Sequence, residues 1–355
     1  MTPVPETPES RPAPVAEGPH EDHPISDSAS IQSSQTLHSL SGPVSHPELQ
    51  SPGLNVSIVE KLSVMLSGGS VARSYVVGEL ALAYNPNQSS PSSSQLVRLD
   101  NFHILEKVAA NPQFVTEASS ATPAEGQRPT TANSQSGKGE YNIALPSITG
   151  ASPHVAFKYQ IHLEPSNLSS YCPVIFTPIW NEEEFQASVI ITYYVNPNFV
   201  SSKPPASITL KNLALTVNLD LNPVIDETTK QPREVARATG AAMYPNNATF
   251  RRRLSAVVWK MPELVVNANE DGKFLARFTS SIPWPRKGKV EAKFDMMTSD
   301  ADLRLGLSAY LPGSGEAQKD NDPFADESVA PAAAIKSWKD VPTERKLSVA
   351  RYVSS

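Results

Sequence analysis

The chain has 355 residues, 39% of them hydrophobic, with 33 prolines against 16 glycines, a formal net charge of −6 and one cysteine. That length allows one large domain or two smaller ones, the proline content disfavours long helices, and the acidic balance excludes nucleic acid as the default partner. Cys172 alone allows no internal disulfide, no apolar run approaches the ~20 residues of a membrane-spanning helix, and the chain opens without a secretory signal, so the expected location is cytoplasmic.

Residues 1–52 carry ten prolines, seven acidic residues, Arg11 as the only arginine, no lysine and no Phe, Trp or Tyr. Such a stretch cannot bury enough apolar area to offset its ordering entropy, and a disordered tail is predicted. His20, His23, His38 and His46 fall in it, so none is expected to be held in a fixed geometry. Composition changes abruptly at Gly53. In LNVSIVEKLSVMLS, Leu54, Val56, Ile58, Leu62, Val64 and Leu66 share a face at a period of two, although a helical face through Ile58, Val59, Leu62, Met65 and Leu66 also fits. The Gly68-Gly69 turn pair and a second alternating run, SVARSYVVGELALAY, favour a hairpin of two strands.

Further along, residues 117–140 lack large apolar side chains and read as a disordered loop. SVIITYY (188–194), LALTVNLDL (213–221), KVEAKFDM (289–296), LRLGLSAYL (303–311) and LSVARYV (347–353) all read as strands. A second weak stretch, 313–334, reads as an exposed loop. Many alternating strands between Pro, Asn and Ser turns predict an all-β fold of antiparallel sandwich type.

No phosphate-binding loop, GxGxxG, HExxH, GxSxG or paired CxxC occurs. His103, His154 and His162 are scattered, and Cys172 precedes a proline in an apolar run, as a small buried hydrophobe would. No catalysis, cofactor or metal is expected. The remaining candidates are binding features. Arg251, Arg252 and Arg253 precede a strand carrying Lys260, and Arg286, Lys287 and Lys289 form a second basic run. Such runs fit acidic peptides or phosphoinositide headgroups, and equally a solvated strand edge whose charge prevents edge-to-edge pairing. Asp322, Pro323 and Phe324 place an aromatic in an acidic loop, where a proline-stiffened turn can offer it to a partner's pocket.

The segment from Gly53 to Tyr84, with Val77-Gly78-Glu79, resembles the opening hairpin of the mu-homology domain, found in the medium subunits of clathrin adaptors and in muniscins. The Gly-Glu pair is most similar to the muniscin version. AVVWKMP (256–262) resembles the Trp-Lys strand of the second subdomain, and Ile335–Trp338 with Ser348–Tyr352 resembles the terminal strands of the first. The resemblance covers 53–355 and implies an elongated all-β body of two antiparallel sandwich subdomains. The second (172–300) would be inserted into the first (53–171 and 301–355).

It also implies an early endocytic adaptor, recruited to clathrin-coated sites at the plasma membrane. Its implied partners are transmembrane cargo tails, an EH-domain scaffold and, through Asp322–Phe324, a clathrin adaptor appendage. The alternative is a medium-chain-like structural subunit of a coat complex. Two departures stand out. Where medium subunits hold a tyrosine-based signal with an aspartate and a lysine, this chain aligns Ser57 and Ala83, with Trp338 near the pocket's aromatic. Without the carboxylate the pocket is expected not to accept tyrosine peptides. No FCH-BAR module lies in residues 1–52, so no membrane bending is ascribed to them.

Overall fold

The computed structural model describes residues 44–86, 93–118, 139–201, 203–225, 228, 230–232, 234–298, 303–311 and 337–355. Strands β1 (Gly53–Ser67) and β2 (Ser70–Asn85) form a long hairpin, and β3 (Ser94–Asp100), β4 (Leu105–Ala110), β5 (Val115–Glu117), β6 (Glu140–Ala144) and β7 (His154–Ile161) follow. The middle of the chain supplies β8 (Val174–Glu183), β9 (Gln186–Val195), β10 (Ser207–Leu219) and β11 (Ala238–Tyr244). It continues with β12 (Thr249–Arg251), β13 (Ala256–Asn267), β14 (Gly272–Ser280) and β15 (Lys287–Met297). The last segment gives β16 (Gly306–Tyr310), β17 (Trp338–Asp340) and β18 (Thr343–Ser354).

The 54–66 stretch is therefore strand, not helix. Gly68 and Gly69 turn the β1–β2 hairpin at φ +59° and +79°, a backbone region that costs side-chain-bearing residues but not glycine. The expected 117–140 loop needs trimming at both ends: Glu117 ends β5 and pairs with Tyr141, and Glu140 begins β6. Residues 119–138 and 313–334 lie outside the described residues.

Three sheets result. A nine-stranded sheet runs β12-β13-β10-β15-β18-β1-β2-β7-β4, a four-stranded sheet runs β11-β14-β9-β8, and a five-stranded sheet runs β17-β16-β3-β6-β5. The four-stranded sheet is drawn wholly from residues 174–280 and the five-stranded sheet from the flanking segments, while the nine-stranded sheet draws on both. One pairing departs from the antiparallel expectation: β1 and β18 run parallel, from Val56↔Thr343 to Leu66↔Ser354. A parallel pair needs a long crossover, and here nearly the whole chain is that crossover.

The alternating side chains of β1 and β2 fill the interior with Val56, Ile58, Leu62, Val64, Leu66, Val76, Leu80 and Leu82. Each run has one break in its apolar alternation, Glu60 and Gly78, and the hairpin register sets those two opposite each other. Tyr159 of β7 pairs with Gly78 on the other side. A Cβ at Gly78 would overlap the Tyr159 ring, so glycine leaves the ring room to cross β2. The Tyr159 hydroxyl then donates to Glu60 Oε1 at 3.1 Å.

Arg304, just ahead of β16, donates to Glu60 Oε2 at 2.9 Å, and both side chains have no exposed surface. The Arg304 guanidinium stacks on Tyr171 and Phe199, 4.8 and 5.1 Å from their ring centroids. Arg345 of β18, facing the same interior, donates to the Leu305 carbonyl at 2.6 Å. Burial, then the Glu60 charge, push the Tyr159 hydroxyl far above its usual range, so it remains a donor. The break read as a family mark in Val77-Gly78-Glu79 is thus a packing requirement.

Breaking a buried ion pair by removing one partner costs about 3–5 kcal/mol, because the other charge is left uncompensated. Glu60→Gln is expected to lower unfolding free energy by about that amount, and Gly78→Ala by about 1–3 kcal/mol through overpacking. Urea unfolding of both variants measures this. A loss under about 0.5 kcal/mol for Glu60→Gln would remove the pair from the account of stability.

Candidate functional site

Three surfaces bear on function. The first is the outward face of β1 and β2, where β1 turns Asn55, Ser57 and Val59 away from the interior and β2 does the same with Val77, Glu79, Ala81 and Ala83. Ser57 and Ala83 are thus on one face, but neither is open: they are 1% and 0% exposed. The cover includes residues 44–52, which the composition assigns to the disordered tail. His46 Nδ1 and Ser57 Oγ share a hydrogen bond at 2.9 Å, and Leu49 is buried, with its N–H donating to Ala151 O at 2.8 Å. This corrects the tail boundary, and it corrects the reading of His46 as unheld.

Trp338 does not join Ser57 and Ala83. It lies on β17 of the five-stranded sheet, edge-on to Tyr310 and beneath the Arg98 guanidinium at 4.8 Å. Glu79, which follows the glycine break and points outward, meets Lys158 Nζ at 3.0 Å and His46 Nε2 at 3.7 Å. The longer contact is electrostatic rather than a formed hydrogen bond. Burial alone would raise the Glu79 carboxyl, but its interactions with His46 and Lys158 outweigh it and hold it below its ordinary value of 4.5.

The second surface is basic. Arg251 ends β12 at the sheet margin, and Arg252 and Arg253 form a short 3-10 turn after it. Arg252 Nη2 donates to the Thr239 carbonyl at 2.7 Å, and the Arg253 carbonyl accepts from Arg237 at 3.2 Å. Lys260 of β13 is exposed. The register places it beside Ala214, and Ala214 beside Lys293 of β15, so Lys293 is a neighbour that chain order did not suggest. Arg286 is not a free cation: it pairs with Asp220 at 3.2 Å and also donates to the Asn222 carbonyl. Lys287 and Lys289 remain exposed on β15. The predicted patch is therefore split by the strand order, with β13 and β10 between β12 and β15.

The third surface is invisible in chain order. On the outward face of the four-stranded sheet, Ile179 pairs with Ile190, Ile190 with Leu275 and Leu275 with Tyr244. These four are 64%, 42%, 37% and 64% exposed, an apolar row crossing the whole sheet. Lys273 and Arg277 flank Leu275 on β14 and are exposed, with no ion pair among the described residues. The signal lay in cross-strand register: each strand alone shows only one exposed large apolar residue.

Asp322, Pro323 and Phe324 lie outside the described residues. Cys172 is fully buried, and burial pushes its thiol up to about 12, a reactivity to match its packing role. Among the described residues, no group of three or more His, Cys, Asp or Glu could hold a metal ion. No helix among them is long and apolar enough to cross a membrane.

With this geometry in place, similarity to known proteins decides the family. The profile of the muniscin C-terminal mu homology domain matches residues 52–355. The chain belongs to that family. This muniscin-type domain is 26% identical over 311 residues to the Saccharomyces cerevisiae protein called suppressor of yeast profilin deletion, covering 84% of this chain and 29% of the relative. It is 25% identical over 285 residues to the Schizosaccharomyces pombe cytoskeletal protein syp1, covering 78% and 30%. The chain thus spans less than a third of either curated relative. Its fold matches that of the Danio rerio Fcho1 mu homology domain, solved with a bound Eps15 peptide, at a TM-score of 0.50 and 14% identity, covering 86% of this chain and 97% of that one. The muniscin domain is of an endocytic adaptor family, and that family is not a known enzyme class.

Because the folded Glu79 carboxyl sits below its unfolded value, its pairing stabilises the domain fully above pH 4.5. The contribution fades as pH falls through the depressed folded value. Thermal melts of Glu79→Gln against the unaltered chain are expected to differ at pH 7 and to converge on acidification below pH 4.5, as the folded carboxyl takes up its proton. A constant offset across that window would sink the assignment.

Proposed function

We propose that this muniscin domain is an early endocytic adaptor module, recruited to clathrin-coated plasma-membrane sites. There it binds an EH-domain scaffold and transmembrane cargo tails. The observation that carries a binding role is the apolar row Ile179–Ile190–Leu275–Tyr244 with Lys273 and Arg277 beside it. A rigid sheet can expose such a row at low entropic cost to a partner, and large exposed apolar rows on soluble domains mark interaction sites. The solved Fcho1 domain carries an Eps15 peptide, and family membership supports a partner of that kind here.

Asp322–Phe324 extends the reading: the acidic loop offers Phe324 to a clathrin adaptor appendage, weakly at each copy and more tightly when many copies cluster. The exposed Arg251–Arg253 edge is the candidate phosphoinositide contact. The second reading, a medium-chain-like coat subunit, calls for stable co-purification with large adaptor chains.

Immobilised full chain is expected to retain a recombinant EH-domain scaffold fragment, and Ile190→Asp to weaken retention about tenfold, worth ~1.4 kcal/mol, with an unchanged melt. Retention equal to a residues 1–43 control would defeat the adaptor reading. For the lipid contact, the Arg251/Arg252/Arg253 triple alanine variant is expected to lose flotation with phosphoinositide liposomes. Flotation matching the unaltered chain would leave those arginines as edge charges only.

A further inference from the structure

The stretch Val44–Pro52 lies on the β1–β2 hairpin as a bound peptide lies in a groove. None of its residues joins a strand ladder, so it is held by side chains and single backbone contacts. His46 is the first anchor, bonded to Ser57 and facing Glu79, with a side chain only 6% exposed. Leu49 is the second: its N–H reaches the Ala151 carbonyl, and its own carbonyl accepts from Asn85 Nδ2 at 2.7 Å. Asn85 Nδ2 and Asn55 Nδ2 both donate to the Ser51 carbonyl, at 2.9 and 2.6 Å. Val44 borders a small pocket with Val59, Lys61 and Val77.

The groove has its own apolar floor. Val59, Val77, Ala81 and Ala83 are all buried, yet none belongs to the interior core cluster. They face the other side of the sheet, and Val44 of the docked stretch borders Val59 and Val77 there. A strip of that kind left uncovered would be an exposed apolar patch. The occupant matches it in character: Leu49 is buried on docking, His46 meets a carboxylate and a hydroxyl, and Pro47 between the anchors limits the entropy lost on docking.

We propose that the outward face of β1 and β2 is a peptide-binding groove closed in cis by Val44–Pro52. In trans it accepts an extended peptide carrying histidine and leucine three residues apart. The tether supplies the competitor at an effective concentration in the millimolar range, so the groove opens only when the stretch is displaced or loosened. This stands apart from the scaffold reading, which concerns a different sheet.

The test uses the full chain and a fluorescein-labelled synthetic peptide of the Val44–Pro52 sequence, followed by fluorescence polarisation. A chain carrying His46→Ala and Leu49→Asp has its own strap released, and is expected to bind the peptide saturably and at least tenfold more tightly than the unaltered chain. The same peptide with alanine for histidine and aspartate for leucine is expected not to bind. If the released chain leaves the peptide free, or both chains bind it equally, the groove is not a peptide site. Should the double variant lose its cooperative melt, His46→Ala and Leu49→Ala singly carry the test, each with an intermediate gain; no gain from either overturns the proposal. Scaffold retention measured on the same variants separates the two readings, since strap release is not expected to change it.

Discussion

The domain is organised around one buried charge. Glu60 has no exposed surface, and Arg304, 244 residues later, closes an ion pair with it at 2.9 Å while Tyr159 donates to its other oxygen. Two charges taken out of water are tolerable only when geometry and extra hydrogen bonds compensate their lost hydration. Here the aromatic faces of Tyr171 and Phe199 complete the surroundings of the cation. The centre ties β1, β7 and the segment before β16 into one arrangement. Gly78 is what lets Tyr159 take part.

That centre also explains why the two ends of the domain meet. β18 runs parallel to β1 over eleven paired positions, and Arg345 enters the interior beside Arg304 from that strand. Because β15 pairs with the other edge of β18, strands from residues 174–300 continue the same sheet as the opening hairpin. A single backbone ladder therefore joins the two halves, a stiffer connection than a hinge of loop residues would give. Rigidity of this kind suits a module that offers surfaces rather than a cleft that closes.

The surfaces are unlike one another. The apolar row on the four-stranded sheet is open, the basic margin at Arg251–Arg253 is partly consumed by backbone contacts of its own, and the β1–β2 face is already filled by His46 and Leu49. Ser57, in the position where the medium-subunit resemblance expects an aspartate, is used instead to hold a histidine from the same chain. The same face can thus serve an extended peptide without serving a tyrosine signal.

Alternating apolar residues suffice to read strands in 188–194, 213–221 and 289–296, because side-chain direction along a strand has a period of two whatever lies beside it, while 54–66 also needs the Gly68-Gly69 turn to exclude a helix. The Gly78-Glu79 break is legible in the sequence as well, and Glu60 interrupts the facing run. Their meaning is not, since only the hairpin register and the arrival of Tyr159 and Arg304 from distant segments make an interior carboxylate tolerable. The apolar row and the Lys260–Lys293 neighbourhood were hidden for the same reason: each strand contributes one residue, and strand order is set by long-range pairing. Composition assigns residues 44–52 to the disordered tail because it measures what a segment can bury against itself, whereas Leu49 and His46 are buried against a sheet that the rest of the chain provides.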